Sequence, residues 1–218
     1  MTSGPPPPPP SFLQIELLSD ATFSRGEGAA GVVDTEVERD ELGMPFIGGK
    51  TVRGLLRDSW LSMSRHFLGL EQAAERVLGR SQALDESCRL RIGDAVLPAP
   101  IRATVRGAAK RVEHPLPAGA VLNGFTSIRY QTAEDRETGA PDVTTLRSSR
   151  IVLRGFVFEA GLSWLAGYQP TADDVRLLAL CALATRHGGL LRNRGRGHIR
   201  VTLGGSVEAT RKYAEATA

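Results

Sequence analysis

The sequence predicts an α+β fold whose elements follow in the order strand, helix, strand, long insertion, strand, helix and strand. Residues 12–18 alternate apolar and polar side chains, which is the period of a half-buried strand. Residues 151–165 are rich in β-branched and aromatic residues, a composition typical of another strand. Residues 50 to about 67 carry a basic and an apolar stripe at helical spacing. This order is that of a ferredoxin-like β-α-β-β-α-β core, the topology class of RNA-recognition modules.

The other elements complete this order around an irregular region. The segment Thr171-Ala172-Asp173-Asp174 offers a capping residue and an acidic first turn, so it predicts a helix that continues to about residue 186. Residues 98–150 contain five prolines and predict a long insertion. The remaining predicted elements are a helix over 70–84, a strand over 88–97 with a bulge or turn at Gly93 and Asp94, and a strand over 198–203.

The chain of 218 residues is long enough for a single domain with a sizeable core. Residues 1–10 contain six consecutive prolines and predict a disordered polyproline tail. We expect one domain over 11–205, with the insertion at about 98–150, and a loose C-terminal tail over 206–218. No segment approaches a membrane span or has the order of a signal peptide, so we expect a cytoplasmic protein without a membrane partner.

Arginine makes up nearly all of the positive charge of the chain. The net charge is +3, and Lys50, Lys110 and Lys212 are the lysines among its 27 basic residues. Arginine binds phosphate in a bidentate way and stacks on bases, but a GC-rich coding bias would also raise its content. The cysteines, Cys88 and Cys181, are two and far apart, and they indicate neither a disulfide framework nor a zinc site.

A glycine turn opens the first predicted helix. Gly48 and Gly49 precede the free N–H groups at the helix start, an arrangement suited to an anion. The triplet Gly49-Lys50-Thr51 also ends like a P-loop, but the spacing of that motif requires glycine at Met44, and Gly43 is one place too early. An ATPase is therefore not favoured. Three basic residues share one face of this helix: Lys50, Arg53 and Arg57.

The run of residues 44–57, MPFIGGKTVRGLLR, resembles the signature of the RAMP superfamily of CRISPR-associated proteins. Within it, the run is most similar to that of the repeated backbone subunit of type III effector complexes. Gly31-Val32-Val33-Asp34 and Arg39-Asp40 precede the run as the corresponding family segments do. Gly48 stands where proline is usual in the family, and Lys50 where serine is usual.

Two later segments carry the same resemblance. Residues 135–140, DRETGA, resemble an element of the family that lies in a protruding hairpin, which wedges into the duplex of guide and target. Residues 188–197, GGLLRNRGRG, resemble its C-terminal glycine-rich loop. The resemblance covers roughly residues 12–203, and it implies the ferredoxin-like strand order and the inserted hairpin.

The resemblance implies a subunit that polymerises along a guide RNA together with other copies of itself and other effector subunits, and that pairs the guide with a target RNA. Binding of this kind depends on phosphate and shape, and base pairing supplies the sequence. The RNA-binding residues implied are Gly49, Lys50, Arg53, Arg57, Arg136, Arg192, Arg194, Gly195 and Gly197.

The resemblance also implies a catalytic role for Asp34 in cleavage of the target RNA. In this mechanism Asp34 is a ligand of Mg²⁺ or another divalent metal, and the ribose 2′-hydroxyl attacks the adjacent phosphate. Glu36, Glu38 and Asp40 are possible further ligands, although alternating acids are typical of a solvated strand face.

Two alternatives to the backbone nuclease remain at this point. In the first, the chain is a non-catalytic cap or scaffold subunit, and Asp34 only caps a turn. A guide-precursor endoribonuclease of the same superfamily would instead use a histidine as its general base. The histidines available for this role are His66, His114, His187 and His198.

Overall fold

The computed structural model describes residues 8–24, 26, 28, 32–80, 87–134 and 139–215. Its strands are β1 (Phe12–Leu17), β2 (Leu90–Val96), β3 (Thr126–Glu134), β4 (Pro141–Val152), β5 (Val157–Trp164) and β6 (Ile199–Leu203). Its α-helices are α1 (Gly49–Met63), α2 (Glu71–Leu78), α3 (Ala99–Ala109), α4 (Ala118–Phe125), α5 (Ala172–Ala184) and α6 (Val207–Glu215). A 3₁₀ turn, Ser64–His66, follows α1. None of these helices is long and apolar enough to cross a membrane.

Four strands form an antiparallel sheet in the order β2-β5-β1-β6. Helices α1 and α5 are the connections that return the chain to this sheet, so the predicted ferredoxin-like core is confirmed. Alternate residues of β1 are buried, with Leu13 paired to Ala160 and Ile15 paired to Val201. The opposite face of the sheet is more polar and includes an ion pair between Arg200 and Glu16, with 2.9 Å between Nη1 and Oε2.

The predicted irregularity at Gly93 and Asp94 is confirmed. The start of α1 packs against it. The pairing register of β2 shifts between Ile92 and Ala95. At this bulge the Gly49 N–H donates a hydrogen bond of 2.7 Å to Asp94 Oδ1. A Cβ atom on Gly49 would lie 2.4 Å from the Ile92 carbonyl oxygen, so the close approach of helix and strand requires glycine here.

The insertion contains two helices that the sequence analysis does not predict. Pro98 precedes α3 and Pro100 lies in its first turn, where a missing N–H is tolerated. Pro117 likewise precedes α4. These prolines indicate irregular structure when only the sequence is considered, whereas they stand at helix starts. The inserted hairpin was expected, and it is formed by β3 and β4.

The prediction of one strand over 151–165 is wrong. Strand β4 ends at Val152, and β5 begins at Val157 in a different sheet. The turn between them contains Gly155, whose φ of 88° is accessible to glycine. The run of apolar residues conceals this turn, because both flanking strands are buried.

Of the two predictions near the C-terminus, the helix is correct and the loose tail is wrong. The Thr171 hydroxyl and the Asp174 carboxylate form a capping box at the start of α5, as the sequence indicated. A loose tail over 206–218 was expected, but residues 207–215 form α6, which packs against α5. The Ser206 hydroxyl accepts a hydrogen bond from the Ala209 N–H and so supports the start of α6. The predicted helix over 70–84 ends at Leu78.

Candidate nucleic-acid interface

Asp34 lies against the hairpin of β3 and β4, beside Ser148. The Asp34 N–H donates to the Ser148 carbonyl oxygen at 3.1 Å. In return, Asp34 Oδ2 accepts hydrogen bonds from the Ser148 N–H at 2.6 Å and from the Ser148 hydroxyl at 3.0 Å. A parallel bridge between Thr35 and Ser149 continues this contact. The segment that carries Asp34 therefore runs beside β4 through bridge contacts rather than a regular ladder, and it is called the edge strand below.

The hydrogen bonds from Ser148 also set the charge of Asp34. The Ser148 backbone N–H, then its hydroxyl and the nearby Arg147 charge, hold the pKa of Asp34 below its ordinary value of 3.8. The Asp34 side chain is exposed to solvent. Asp34 is consequently an ionised and accessible carboxylate at neutral pH.

A buried arginine holds this edge strand in place. Arg150 is 6% exposed, and its Nε lies 2.9 Å from Glu36 Oε1. The same guanidinium donates to Asn123 and Thr126, and the Arg150 N–H donates to the Thr35 carbonyl oxygen. A charge buried in this way needs its partners, so Glu36 and Arg150 fix the position of the strand that carries Asp34.

The acidic residues that follow Asp34 have structural partners. Glu36 pairs with Arg150, and Glu38 Oε2 accepts the Gly48 N–H at 3.3 Å. Asp40 Oδ1 accepts the N–H groups of Leu42 and Met44. Among the described residues no group of three or more His, Cys, Asp or Glu side chains is placed to hold a metal ion. The structure therefore does not support the expectation that these acids extend a metal site at Asp34.

The glycine-rich loop of residues 188–197 packs against the segment that follows β1. The Gly197 N–H donates to the Asp20 carbonyl oxygen, and the Gly188 N–H donates to the Gly197 carbonyl oxygen, both at 2.9 Å. A Cβ atom on Gly197 would lie 1.9 Å from the Gly188 carbonyl oxygen, so Gly197 is required for packing. Gly195 has a φ of 77° and open space around it. Of the two glycines of this loop that were assigned to RNA, Gly195 is the exposed one.

The hairpin joins this loop to Asp34 through two consecutive serines. Ser148 binds Asp34, and the next residue, Ser149, accepts a hydrogen bond from Arg196 Nη1 at 3.1 Å through its hydroxyl. Beside this contact is an open cleft of about 620 Å³, and the arginines that line it come from three segments: Arg129, Arg154 and Arg196. Asp20 also lines this cleft and lies 3.4 Å from Arg129. The arginines of the cleft and of the glycine-rich loop form a basic surface that contacts β4 from the face opposite Asp34, because consecutive strand residues point to opposite faces.

Helix α1 uses its basic stripe differently from the prediction. Arg53 donates hydrogen bonds to the carbonyl oxygens of Val77 at 3.1 Å and Leu90 at 2.6 Å. Arg57 donates to the carbonyl oxygens of Leu78 and Gly79 at the end of α2, which are otherwise unpaired groups of that helix. Both guanidinium groups are engaged inside the protein, and this geometry argues against the RNA contacts expected of them.

The comparisons with known proteins bear on the same segments. A sequence model of the RAMP superfamily matches residues 14–200. The chain belongs to the RAMP superfamily. This stretch runs from within β1 to the start of β6, and it includes the Asp34 segment and the glycine-rich loop. No curated protein sequence matches the chain significantly.

Solved structures share the fold of this RAMP protein at low sequence identity. One is a chain of the type III-B Cmr-beta complex in its apo state, determined by cryo-EM, with a TM-score of 0.64 and 13% identity. The match covers 90% of this chain and 97% of that chain. Another is a chain of the type III-B Cmr-beta complex bound to cognate target RNA, with a TM-score of 0.64 and 13% identity over 93% of this chain and 98% of that chain.

The remaining predicted RNA-binding residues of the RAMP domain have different surroundings. Lys50 is exposed in the first turn of α1, whereas the Gly49 N–H is already bound to Asp94. Arg192 and Arg194 are exposed in the glycine-rich loop, where Arg192 Nη1 lies 3.4 Å from Asp58. The assignment of Arg136 to RNA lies outside the described residues.

Several residues of the basic surface were missed by the sequence analysis. Arg129 lies within β3, Arg154 lies in the turn after β4, and Arg196 lies in the glycine-rich motif but was not assigned. Ser148 gave no signal in the sequence, because its role depends on a contact across 114 positions of the chain. A Ser-Ser-Arg sequence on a strand occurs on many protein surfaces and does not indicate a site by itself. The pairing with the Asp34 segment is what identifies these residues.

Proposed function

We propose that this RAMP domain is an RNA-binding backbone subunit of a type III CRISPR effector complex. In this role it polymerises along a guide RNA and cleaves the paired target RNA with the assistance of a divalent metal. The observation that carries the proposal is the convergence of Asp34 and the glycine-rich loop on Ser148 and Ser149. The ionised carboxylate and the arginine-lined cleft therefore contact consecutive residues of one strand, β4, from its two faces. The Cmr-beta chains of similar fold belong to a complex that binds cognate target RNA.

Contacts to the guide RNA are assigned to the exposed basic residues. Arg192 and Arg194 extend from the glycine-rich loop, and Arg129, Arg154 and Arg196 line the adjacent cleft. Arginines in such a groove bind phosphates and stack with bases without reading the sequence. Lys50 extends the surface toward α1. Arg53 and Arg57 are not included, because their guanidinium groups bind carbonyl oxygens of the protein.

Asp34 is the proposed catalytic carboxylate. Ser148 holds Oδ2 through two hydrogen bonds, and no described residue donates to Oδ1. One free carboxylate oxygen suits a hard cation whose other ligands are water and phosphate oxygens. Such an ion, when bound, would stabilise the negative charge that develops at the phosphate during attack by the 2′-hydroxyl. The role of the chain is to keep Asp34 ionised and in a fixed position beside the hairpin.

One observation favours the histidine alternative. The rings of His187 and His198 stack with 5.3 Å between their centroids, and both side chains are exposed. Two histidines in contact are a candidate pair for general acid–base cleavage of RNA without a metal. His187 also lines a cleft of about 610 Å³ that includes Arg192. A processing endoribonuclease would place its substrate there.

Reconstitution of the complex on guide RNA separates these functions. We expect several copies of the chain per guide, and cleavage of a complementary target that stops when a chelator is added and resumes with Mg²⁺. One copy per guide without cleavage would indicate a cap or scaffold subunit. Cleavage that resists the chelator and is abolished in His187→Ala would indicate the histidine mechanism.

A further inference from the structure

An exposed aromatic side chain lies on the hairpin next to the proposed site. Tyr130, on β3, is 64% exposed, and it is the aromatic residue among the large exposed apolar side chains of the described part of the chain. Aromatic rings are usually buried, since they remove a large apolar area from water. Arg129 precedes Tyr130, and Arg147 is the partner of the next residue, Gln131, so both arginine side chains point to the face of the hairpin opposite the Tyr130 ring. An exposed aromatic ring is a typical platform for stacking a nucleobase.

The register of the hairpin fixes the direction of the Tyr130 side chain. Tyr130 is the partner of Ser148 across the β3–β4 ladder. The N–H and carbonyl groups of Ser148 both bind the Asp34 segment, so neither of them points toward Tyr130. Tyr130 and Ser148 are therefore a non-hydrogen-bonded pair, the type in which the Cα atoms are closest, about 4.5 Å apart, and the side chains adjoin on one face.

Asp34 lies on the same face of the hairpin. Its carboxylate accepts a hydrogen bond from the hydroxyl of Ser148. Ser148 belongs to β4, which lies between β3 and the Asp34 segment. Tyr130, Ser148 and Asp34 thus form a row across β3, β4 and the bridged segment beside β4. Two strand spacings separate the backbones at its ends, about 10 Å. A nucleotide whose base covers the Tyr130 ring can therefore place its ribose along this row, within reach of Asp34.

We infer that Tyr130 is a stacking platform for one nucleobase of the target RNA and positions the adjoining ribose at Asp34. The inference rests on the proposed function and adds a positioning residue to it. The platform favours single-stranded RNA, because a base within a duplex has no free face. It accepts every base, since stacking depends on the ring and carries little sequence information.

The test uses the complex assembled on guide RNA with three variants of the chain. In Tyr130→Ala the cleavage rate should fall roughly 5- to 100-fold, the range that corresponds to the loss of one stacked base. Tyr130→Phe keeps the ring and should restore cleavage to about the native rate. Gln131→Ala is the control, because it truncates the next residue of the same strand, which points to the opposite face. Guide binding should be the same in all three.

A second readout does not depend on cleavage. Iodouridine, placed at each position of the target in turn, forms a photochemical cross-link with an aromatic ring stacked on it. We expect a cross-link to Tyr130 at the nucleotide beside each cut, both in the native chain and in Asp34→Ala. If this cross-link forms while the native complex does not cleave, the proposed catalysis fails and the platform stands. Native-rate cleavage by Tyr130→Ala, or the absence of a cross-link to Tyr130 in the native complex, would overturn the inference.

Discussion

Helix α1 and the glycine-rich loop both carry arginines next to glycines, yet the fold places the two sets in different surroundings. Arg53 and Arg57 of α1 donate to carbonyl oxygens of α2 and β2. Arg192 and Arg194 of the loop are exposed to solvent. The difference lies in what packs nearby: α2 ends against α1 and presents unpaired carbonyl groups to it. Motif similarity alone therefore does not separate an RNA contact from an internal contact, and the two sets should respond to mutation in opposite ways.

The largest effect on stability is expected for Arg53→Ala. This change removes charged hydrogen bonds to two carbonyl oxygens, and it should lower the free energy of unfolding by about 2 kcal/mol and the melting temperature by roughly 4–8 °C. Thermal or urea unfolding of the isolated chain measures it. Lys50→Ala is the matched control on the same face of α1, and it should change stability by less than about 0.5 kcal/mol. A stable Arg53→Ala variant with weakened RNA binding would reverse our assignment.

The opposite response is expected when Arg192 and Arg194 are both changed to alanine. Both side chains are exposed, and the pair between Arg192 and Asp58 joins two exposed groups, so the melting temperature should stay unchanged. Guide binding should weaken, and the slope of log affinity against log salt concentration should fall by roughly 0.7 for each phosphate that the variant no longer neutralises. Salt titrations with single-stranded guide RNA measure this slope. A change in stability with no change in the slope would show that these residues, like Arg53, make internal contacts and do not bind RNA.

A smaller effect is expected in the titration of Asp34. Its pKa should lie below 3.8, because the backbone N–H and hydroxyl of Ser148 bind the charged form. The hydrogen bonds from Ser148 therefore stabilise the fold fully above the ordinary pKa, and this stabilisation disappears only as the pH falls through the lowered value. Carboxyl NMR of the chain measures the midpoint. Ser148→Ala should raise the midpoint only in part, since the backbone N–H is the larger cause and remains.

The pH range of cleavage follows from the same shift. Asp34 stays ionised between about pH 5 and pH 8, so its protonation should not limit the rate there. A midpoint for Asp34 at or above 3.8 would contradict the hydrogen-bond geometry at Ser148.

The elements of the core could be predicted because each has a local signal. The alternation in β1, the capping box of α5 and the bulge at Gly93 and Asp94 depend on residues close together in the sequence. Helices α3 and α4 were missed because prolines at helix starts look like breaks in the sequence. The turn at Gly155 was missed because buried strands flank it on both sides.

The site was predictable only in its parts. Asp34 and the glycine-rich loop each stood out by resemblance to the RAMP superfamily. Their common support at Ser148 and Ser149, and the pairing of Tyr130 with Ser148, depend on strand register between distant segments. Sequence spacing also placed Arg53 and Arg57 on a common face of α1, but the position of α2 decides what that face contacts. Local patterns predict elements, whereas tertiary packing decides which side chains remain available to RNA.

The central claim is that Asp34, held at the edge of the hairpin, carries the cleavage of target RNA. The most direct measurement is the cleavage of a complementary target by the assembled complex containing Asp34→Ala, with guide and target affinities determined in parallel. We expect both affinities to be retained and the cuts to disappear, because the side chain is exposed and Arg150 with Glu36 keeps the edge strand in place. Undiminished cleavage would contradict the claim and leave this chain an RNA-binding scaffold.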